Sequence, residues 1–229
     1  MTTAMLDKPI QPEATTRPER VEVLTGTRWL DQFGDITLDR VIFDPTPGTA
    51  TEADLIQFNE RPNRIRCELV NRTLILNPMG HFESFHASIL IRVLGNWQED
   101  HMPGLIAGEQ SMLRMTESNV RQPDICFHPL TQFGGEPIPR EKVASYPALL
   151  CVEVLSESNT EGEMAMKIRE YFASGTKLVW IVDPATETVR IYDAPDKPET
   201  FRQIGRTDTL DGGEVLPNFS IPVAKIFNI

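Results

Sequence analysis

The sequence has few cysteines. The three present, Cys67, Cys126 and Cys151, show no CxxC or Cys/His spacing, and each lies in or beside an apolar run. An odd number of thiols without ligand spacing argues against a disulfide framework and against a structural zinc site. We therefore expect three reduced thiols that are buried in the protein core.

Long apolar runs and an export signal are also missing. The first five residues, Met1 to Met5, lack the charged and apolar regions of a signal peptide. No apolar run approaches the roughly 20 residues that a membrane-spanning helix requires. These absences predict a cytoplasmic protein that does not act at a membrane.

Basic residues are outnumbered by acidic ones. The chain has 22 Lys and Arg residues against 33 Asp and Glu residues, which gives a net charge of −11. Proteins that bind nucleic acid usually carry a basic patch, because neutralising phosphates supplies much of their affinity. Three alternatives therefore stay open: the basic surface is local, a partner delivers the nucleic acid, or nucleic acid is not the partner.

The length of 229 residues and the hydrophobic content of 40% suit one soluble domain with a tail. Residues 1–50 are polar and punctuated by prolines, so we predict an N-terminal tail that packs only partly on the domain. Within this tail, residues 36–43 have the composition of an edge strand. The domain itself is predicted to span residues 51–229.

Hydrophobic periodicity predicts three helices in this domain. The first begins at Thr51, the second covers residues 84–98, and the third runs from a capping box at Ser158 to Gly175. The predicted strands are residues 65–76, turning at Asn71-Arg72, then 105–115, 125–127, 149–155, 178–182, 188–192 and 215–227. This order predicts a mixed α/β domain with an N-terminal hairpin and a C-terminal β extension, and a polar loop at 129–147.

Two of these strands hold an acid where an apolar residue is expected. Asp124 precedes Ile125-Cys126-Phe127, and Glu153 lies within Leu149 to Leu155. A buried carboxylate is costly unless it is paired, protonated or bound to a metal. If the strands are neighbours, the two acids share a face, and Mg²⁺ favours one or two carboxylates with waters and phosphate oxygens. The alternative is that each acid, and His128 with them, lies at an exposed strand edge or end.

A lysine on the third predicted helix completes the candidate site. Lys167 lies at the edge of the apolar stripe that Met164, Ile168 and Tyr171 form. Its aliphatic stem can cross apolar surface and bring the ammonium group to the acids. The alternative is an ordinary surface lysine that pairs with Glu163, four residues earlier on the helix.

The order of these segments resembles the putative restriction endonuclease family of the PD-(D/E)XK nuclease superfamily, over roughly residues 52–227. The matching segments are Glu68-Leu69-Val70-Asn71, Pro78-Met79-Gly80, Arg121-Gln122-Pro123-Asp124, Val152-Glu153-Val154-Leu155-Ser156, Lys167-Ile168-Arg169-Glu170-Tyr171-Phe172, Gly175, Val179-Trp180-Ile181-Val182-Asp183-Pro184 and Asp208-Thr209-Leu210. Each segment alone is weakly specific, whereas their order is specific.

The resemblance implies a restriction-endonuclease-like mixed sheet flanked by helices. It also implies an endonuclease that hydrolyses phosphodiester bonds of nucleic acid, foremost DNA, with Mg²⁺ or Mn²⁺ as cofactor. Asp124 and Glu153 would be the metal ligands, with Lys167 as the third catalytic residue. The superfamily places its lysine two residues after the strand acid, where this chain has Leu155, while the family pattern has a lysine on the following helix that Lys167 matches.

Two further acids are supporting candidates. Glu83 stands near the start of the second predicted helix, where the family commonly has a histidine and where related nucleases often place an additional metal-ligating glutamate. Glu68 matches the Glu-Leu-Val segment of the family and either supports the site or pairs with Arg66.

Two rival functions stay open at this point. The fold can persist without catalysis, as a binding or regulatory protein that acts with a partner. The acidic net charge and Leu155 in place of the strand lysine favour that alternative. The chain can also act as a homodimer or with a partner subunit, and a plain α/β domain with solvated acids is the remaining interpretation.

Overall fold

The computed structural model describes residues 26–62, 66–77 and 80–228. Its α-helices are α1 (Gly26–Leu30), α2 (Glu52–Asn59), α3 (His81–His101), α4 (Glu161–Ser174) and α5 (Ala224–Phe227). Its strands are β1 (Val41–Ile42), β2 (Cys67–Val70), β3 (Thr73–Leu76), β4 (Gly104–Gly108), β5 (Met112–Thr116), β6 (Asn119–Arg121), β7 (Ile125–Pro129), β8 (Val143–Ala144), β9 (Leu150–Val154), β10 (Leu178–Asp183), β11 (Thr188–Tyr192), β12 (Arg202–Gly205), β13 (Thr209–Gly212) and β14 (Leu216–Pro222). Among the helices so described, none has the length and apolar character needed to cross a membrane.

The central sheet has the strand order β12-β11-β10-β9-β7-β4. Strands β9 and β10 are parallel, and the remaining pairs are antiparallel. Successive side chains of a strand point to opposite faces, so Val152 and Val154 join the core cluster that contains α3, whereas Cys151 joins the cluster that contains α4. The sheet is therefore covered by a helix on each face, as the resemblance implies.

A second six-stranded sheet has the order β1-β3-β2-β6-β5-β8. The predicted hairpin is confirmed as β2 and β3, and both residues of its turn, Asn71 and Arg72, have positive φ. Two central residues of positive φ match the right-handed twist of the paired strands. The hairpin is not a separate extension, however, because β1 and β6 pair with its two outer edges.

The predicted single strand at residues 105–115 is wrong. The chain turns after Gly108, where the Ser111 N–H donates to the Gly108 carbonyl at 2.9 Å. Strand β4 then pairs with β7 in the central sheet, and β5 pairs with β6 in the second sheet. The run of residues 129–147, predicted as a loop, contains the short strand β8, which pairs in parallel with β5.

Helix α4 lies between the two sheets. Met164, Ile168 and Tyr171 pack with Cys126 and Cys151 of the central sheet, in a cluster that also includes Leu113 of β5. The predicted cap at Ser158 is two residues early, because Thr160 is the N-cap and its hydroxyl accepts the Glu163 N–H at 3.0 Å. The predicted helix end is confirmed, since Gly175 has a φ of 115°.

The N-terminal segment packs against the start of α4. Phe33, Ile36 and Val41 are buried in a cluster with Val70 and Ile75, and β1 is the edge strand expected within residues 36–43. Gly34 has a φ of 80°, and a Cβ atom there would lie 2.3 Å from the backbone nitrogen of Glu163. The part of the predicted tail before residue 26 lies outside the described residues, and the boundary at residue 50 stays a prediction.

The C-terminal β extension is confirmed. Strands β13 and β14 form an antiparallel pair, and α5 follows directly. Leu210, Phe219 and Ile226 from this region join the cluster that holds Leu90 and Leu94 of α3. The extension therefore covers α3 on the face of the central sheet opposite to α4.

Candidate active site

The two strand acids lie side by side on the α4 face of the central sheet. In the antiparallel register of β7 and β9, Ile125 pairs with Val152, so the next pair along places Asp124 opposite Glu153. The Oδ2 atom of Asp124 also accepts the Val154 N–H at 2.7 Å. Asp124 is 5% exposed and Glu153 is 4% exposed, so the interpretation of both as exposed edge acids is wrong.

Burial raises the pKa of both acids, so each ionises less readily than an exposed carboxyl group. It raises the pKa of Asp124 to about 6 and the pKa of Glu153 to about 7, and the negative charge of Glu68 adds to both shifts. Asp124 further raises the pKa of Glu153. The two carboxyl groups resist ionisation because they are close together and desolvated. A cation bound between them would stabilise their ionised forms.

Lys167 completes this site from the neighbouring helix. Its side chain is fully buried, and its Nζ lies 3.1 Å from the Oε2 of Glu153 and 3.1 Å from the Oε1 of Glu68. Burial alone would lower the pKa of Lys167, but the two carboxylates outweigh it and raise that pKa above its ordinary value. The surface pair with Glu163 is therefore wrong, since Glu163 is held by Arg40 at 2.6 Å instead.

Glu68 supports the site from the second sheet. Its Oε2 accepts from the Arg121 guanidinium at 2.9 Å, and its Oε1 accepts the Gln122 N–H at 3.0 Å. Burial opposes its ionisation, yet Lys167 and Arg121 outweigh burial and hold the pKa of Glu68 at about 2. Glu68 is thus an anion that fixes Lys167, and the alternative pairing with Arg66 is wrong.

Sequence reasoning missed two residues of this network. Tyr171, one turn after Lys167, donates its hydroxyl to the Oε1 of Glu153. Arg121 donates from Nε to the Oε2 of Glu170 at 2.5 Å as well as to Glu68. Both residues lie in segments that match the family, and this match is the one feature of the sequence that indicates a role for them.

Arg66, the residue before β2, approaches Asp124 without forming a hydrogen bond to it. Its Nη1 donates to the Glu109 carbonyl, and its Nη2 lies 3.7 Å from the Oδ1 of Asp124. That separation is too long for a hydrogen bond. Among the residues that the structure describes, the buried Nη2 atom has no hydrogen-bond partner.

Glu83 is placed apart from these residues. It is the third residue of α3, and a Cβ atom on Gly80 would lie 1.9 Å from its Oε2, so the carboxylate folds back over the start of its own helix. Helix α3 packs on the face of the central sheet opposite to Asp124 and Glu153.

Four neighbours of the acids are also defined by the structure. Cys126 and Cys151 are buried and free, as is Cys67, as the sequence predicts. His128 is buried with its Nδ1 3.0 Å from the Pro147 carbonyl, so its prediction as an exposed strand-end residue is wrong. Leu155 packs against the α4-side cluster, which leaves Lys167 as the ammonium group that touches Glu153.

The charges of this cluster fit a divalent cation. Its side chains are five carboxylates and three cations, namely Asp124, Glu153, Glu68, Glu170, Glu109, Lys167, Arg121 and Arg66. When all are ionised, five against three leaves two negative charges in excess. Two hard carboxylates, with water and phosphate oxygens for the remaining positions, suit Mg²⁺. No group of three or more His, Cys, Asp or Glu side chains is arranged as metal ligands within the described ranges.

Comparison with known proteins places this architecture in a family. The family model described as "Uma2: Putative restriction endonuclease" matches residues 53–224, which is most of the chain. The chain belongs to the Uma2 family. The resemblance deduced from the motifs is thereby confirmed, and the family match covers the central sheet, the second sheet except β1, helix α4 and the two strand acids.

A solved structure supports the same fold. The Uma2 chain is similar to a crystal structure from Anabaena variabilis ATCC 29413, described as a putative nuclease belonging to DUF820. The two share 16% sequence identity with a TM-score of 0.62, over 76% of this chain and 96% of that chain. No curated protein matches the chain. The predicted restriction-endonuclease-like mixed α/β fold is therefore confirmed.

Proposed function

We propose that this Uma2 protein is a metal-dependent endonuclease that hydrolyses phosphodiester bonds in DNA. The observation that carries the proposal is the contact of Lys167 with Glu153, directly beside Asp124. An acid pair with an adjacent ammonium group is the set of side chains that metal-assisted phosphodiester hydrolysis requires. In this protein the ammonium group comes from helix α4, in place of the missing strand lysine at position 155.

The roles of the residues follow from their contacts. Asp124 and Glu153 would hold Mg²⁺ or Mn²⁺, which when bound polarises the phosphate and lowers the pKa of a water molecule. Glu68 orients Lys167, because two of the three N–H donors of the ammonium group face Glu68 and Glu153. Because the Lys167 side chain is fully buried, we assign its ammonium group a positioning role, in which it fixes the charge and orientation of Glu153 beside Asp124. Tyr171 fixes the other oxygen of Glu153.

Cleavage of supercoiled plasmid DNA tests the proposal. The purified full chain should nick or cut the plasmid with Mg²⁺ or Mn²⁺ and should lose this activity with EDTA. Asp124→Asn removes a metal ligand and should lower the rate by roughly a hundredfold or more, the loss typical of removing one strong electrostatic group from an active site. A parallel assay on single-stranded RNA decides whether DNA is the preferred substrate.

The matched control is Asp211→Asn, which changes an acid of the C-terminal β extension that pairs with Arg202. Its cleavage rate should equal that of the wild type. If Asp124→Asn cuts DNA as fast as the wild type, the site assignment is wrong.

A second candidate function is nucleic-acid binding without cleavage, as a degenerate nuclease fold that acts with a partner. The observation in its favour is that Lys167 is fully buried between two carboxylates, where it resembles a structural ion pair. Calorimetric titration with Mg²⁺ separates the two functions. A catalytic site should bind the cation and lose that binding in Glu153→Gln, whereas a structural network should show no binding in either protein.

A further inference from the structure

A cavity of about 380 Å³ opens beside the acid pair. Its walls come from the end of α2 and the residues after it, from the residue before β2, from the turn before β5 and from the residue after β6, and they include Asn59, Arg61, Pro62, Arg66, Gln110 and Gln122. This volume lies within the range of about 300–1,000 Å³ that small-molecule sites occupy. The cavity adjoins the network around Lys167, because its lining residue Arg66 lies 3.7 Å from Asp124 and its lining residue Gln122 donates its N–H to Glu68.

The charge of the cavity is opposite to that of the whole chain. Arg61 and Arg66 contribute two guanidinium groups, and the one lining carboxylate, Glu60, is paired with Lys142. Arg61 is held in place with its guanidinium 4.5 Å from the ring centre of Phe58. In a chain of net charge −11, this is a local basic surface of the kind that the sequence left open.

Arg66 carries a donor that has no described acceptor. Its Nη2 is buried, lies beyond hydrogen-bond distance from Asp124, and has no hydrogen-bond partner within the described ranges. A buried donor without an acceptor is destabilising, and an oxygen of a bound ligand would satisfy it. An arginine fork matches the two oxygens of a phosphate, and a phosphate here would lie next to Asp124.

We propose that this cavity binds the nucleotide next to the cleaved bond, with the phosphate on Arg66 and Arg61. Amide groups of Gln110 and Gln122 lie on the polar wall, and Pro62 lies on the apolar wall, which suits a sugar and base. This inference rests on the proposed function, because it assigns the cavity to the substrate strand of the same site. It makes Arg66 the residue that places the phosphate beside the metal-binding acids.

The test is binding of deoxyadenosine 5′-monophosphate to the full chain in EDTA, measured by calorimetry. Wild type should bind this nucleotide, and Arg66→Ala should bind it about tenfold more weakly or worse, since a charge-assisted hydrogen bond is lost. Gln110→Glu, an exposed change at the cavity wall, should weaken binding several-fold through charge repulsion without disturbing the fold. Arg206→Ala, which alters a distant surface pair with Glu187, should leave binding unchanged.

Each outcome decides the inference. It is overturned if the wild type does not bind the nucleotide, if Gln110→Glu binds as tightly as the wild type, or if inorganic phosphate binds as tightly as the nucleotide. Because binding is measured without a divalent cation, its failure is separate from failure of the proposed function. A chain that binds the nucleotide through Arg66 but cuts no DNA supports the cavity and contradicts the nuclease. If the wild type cuts DNA and Gln110→Glu cuts it with the same KM, the result supports the nuclease and contradicts the assignment of the cavity to the substrate.

Discussion

Lys167 carries its charge where an unpaired ammonium group would be very costly. The side chain is fully buried, and its stability there depends on Glu68 and Glu153 at 3.1 Å. Buried ion pairs contribute little net stability compared with apolar residues of the same size, but removal of one partner leaves an uncompensated charge. The three side chains therefore behave as a unit, and single substitutions overstate the contribution of each.

We predict that Lys167→Met lowers the free energy of unfolding by about 3–5 kcal/mol at pH 8. The physical reason is that two buried carboxyl groups, Glu68 and Glu153, lose their ammonium partner. Adding Glu153→Gln to the same chain should recover at least about 1 kcal/mol of this loss, because the residue at position 153 is then no longer ionisable. Urea denaturation of the wild type, both single variants and the double variant measures this coupling. A double variant whose loss equals the sum of the single losses would contradict it.

The raised pKa of Glu153 predicts a pH-dependent effect on stability. Its folded pKa of about 7 exceeds the ordinary value of 4.5, so the folded state binds more protons, and stability from this group falls as the pH rises from about 4.5 to 7. Glu153→Gln removes that dependence. Relative to wild type in EDTA, the variant should therefore gain about 2–3 kcal/mol between pH 5 and pH 8. An unchanged difference at the two pH values would show that the folded pKa of Glu153 is ordinary.

The residues of the site differ in how far the sequence predicts them. Asp124 and Glu153 stand out because an acid inside an apolar strand conflicts with local pattern, and local pattern is visible in one sequence. Lys167 has no such conflict, so periodicity alone favours a surface lysine, and the family pattern indicates its role. The partners Arg121 and Tyr171 depend on which distant segments pack together, and helix or strand periodicity does not encode that choice.

At the scale of elements, the start of α4 determines how Lys167 is presented. Two hydroxyl residues stand near this start, and the sequence favours Ser158, which has Glu161 three residues later. The structure uses Thr160, which also donates to the Gly34 carbonyl of the N-terminal segment. A tertiary contact from more than one hundred residues away therefore decides between two similar local signals.

We predict that Thr160→Ala lowers the free energy of unfolding by about 1–2 kcal/mol, because the Glu163 N–H loses its capping acceptor. Ser158→Ala should cost only a few tenths of a kcal/mol, since among the described residues its hydroxyl hydrogen-bonds to that of Ser156 alone. Both are measured by urea denaturation at one pH. Equal losses in the two variants would favour the capping box that the sequence predicts.

The split of residues 105–115 shows a different limit of sequence reasoning. Residues 105–115 contain the polar segment Gly108-Glu109-Gln110-Ser111, which marks a local break but does not indicate that the two halves join different sheets. The turn after Gly108 becomes necessary only because β4 and β5 pair with strands of different sheets. Topology of this kind follows from long-range strand pairing, whereas the confirmed hairpin turn at Asn71-Arg72 follows from two adjacent residues.

At the scale of the whole molecule, the N-terminal segment is a structural part of the domain. Arg40 is buried and holds both oxygens of Glu163, at 2.8 and 2.6 Å, in the first turn of α4. We predict that a chain starting at residue 51 has a free energy of unfolding at least about 3 kcal/mol lower than a chain starting at residue 26, because Glu163 loses its buried partner. Thermal and urea denaturation of the two chains measures the difference.

Arg40→Met in the full chain is the matched control for this truncation. It removes the ion pair but keeps the apolar contacts of Phe33 and Ile36. Its free energy of unfolding should therefore fall by less than that of the chain starting at residue 51. If the chains starting at residues 26 and 51 are equally stable, residues 26–50 contribute nothing to the stability of the domain.

The pairing of Arg40 with Glu163 also has a consequence for the order in which the protein can assemble. The two residues are 123 positions apart in the chain. At a synthesis rate of about 5–20 residues per second, Glu163 leaves the ribosome roughly 6–25 s after Arg40. During that interval the Arg40 guanidinium group has been synthesised, but its partner Glu163 is not yet available to form the buried ion pair. Helix α4, which carries Lys167, can pack against Arg40 only after this interval. Until then the candidate active site of the nascent chain is not assembled.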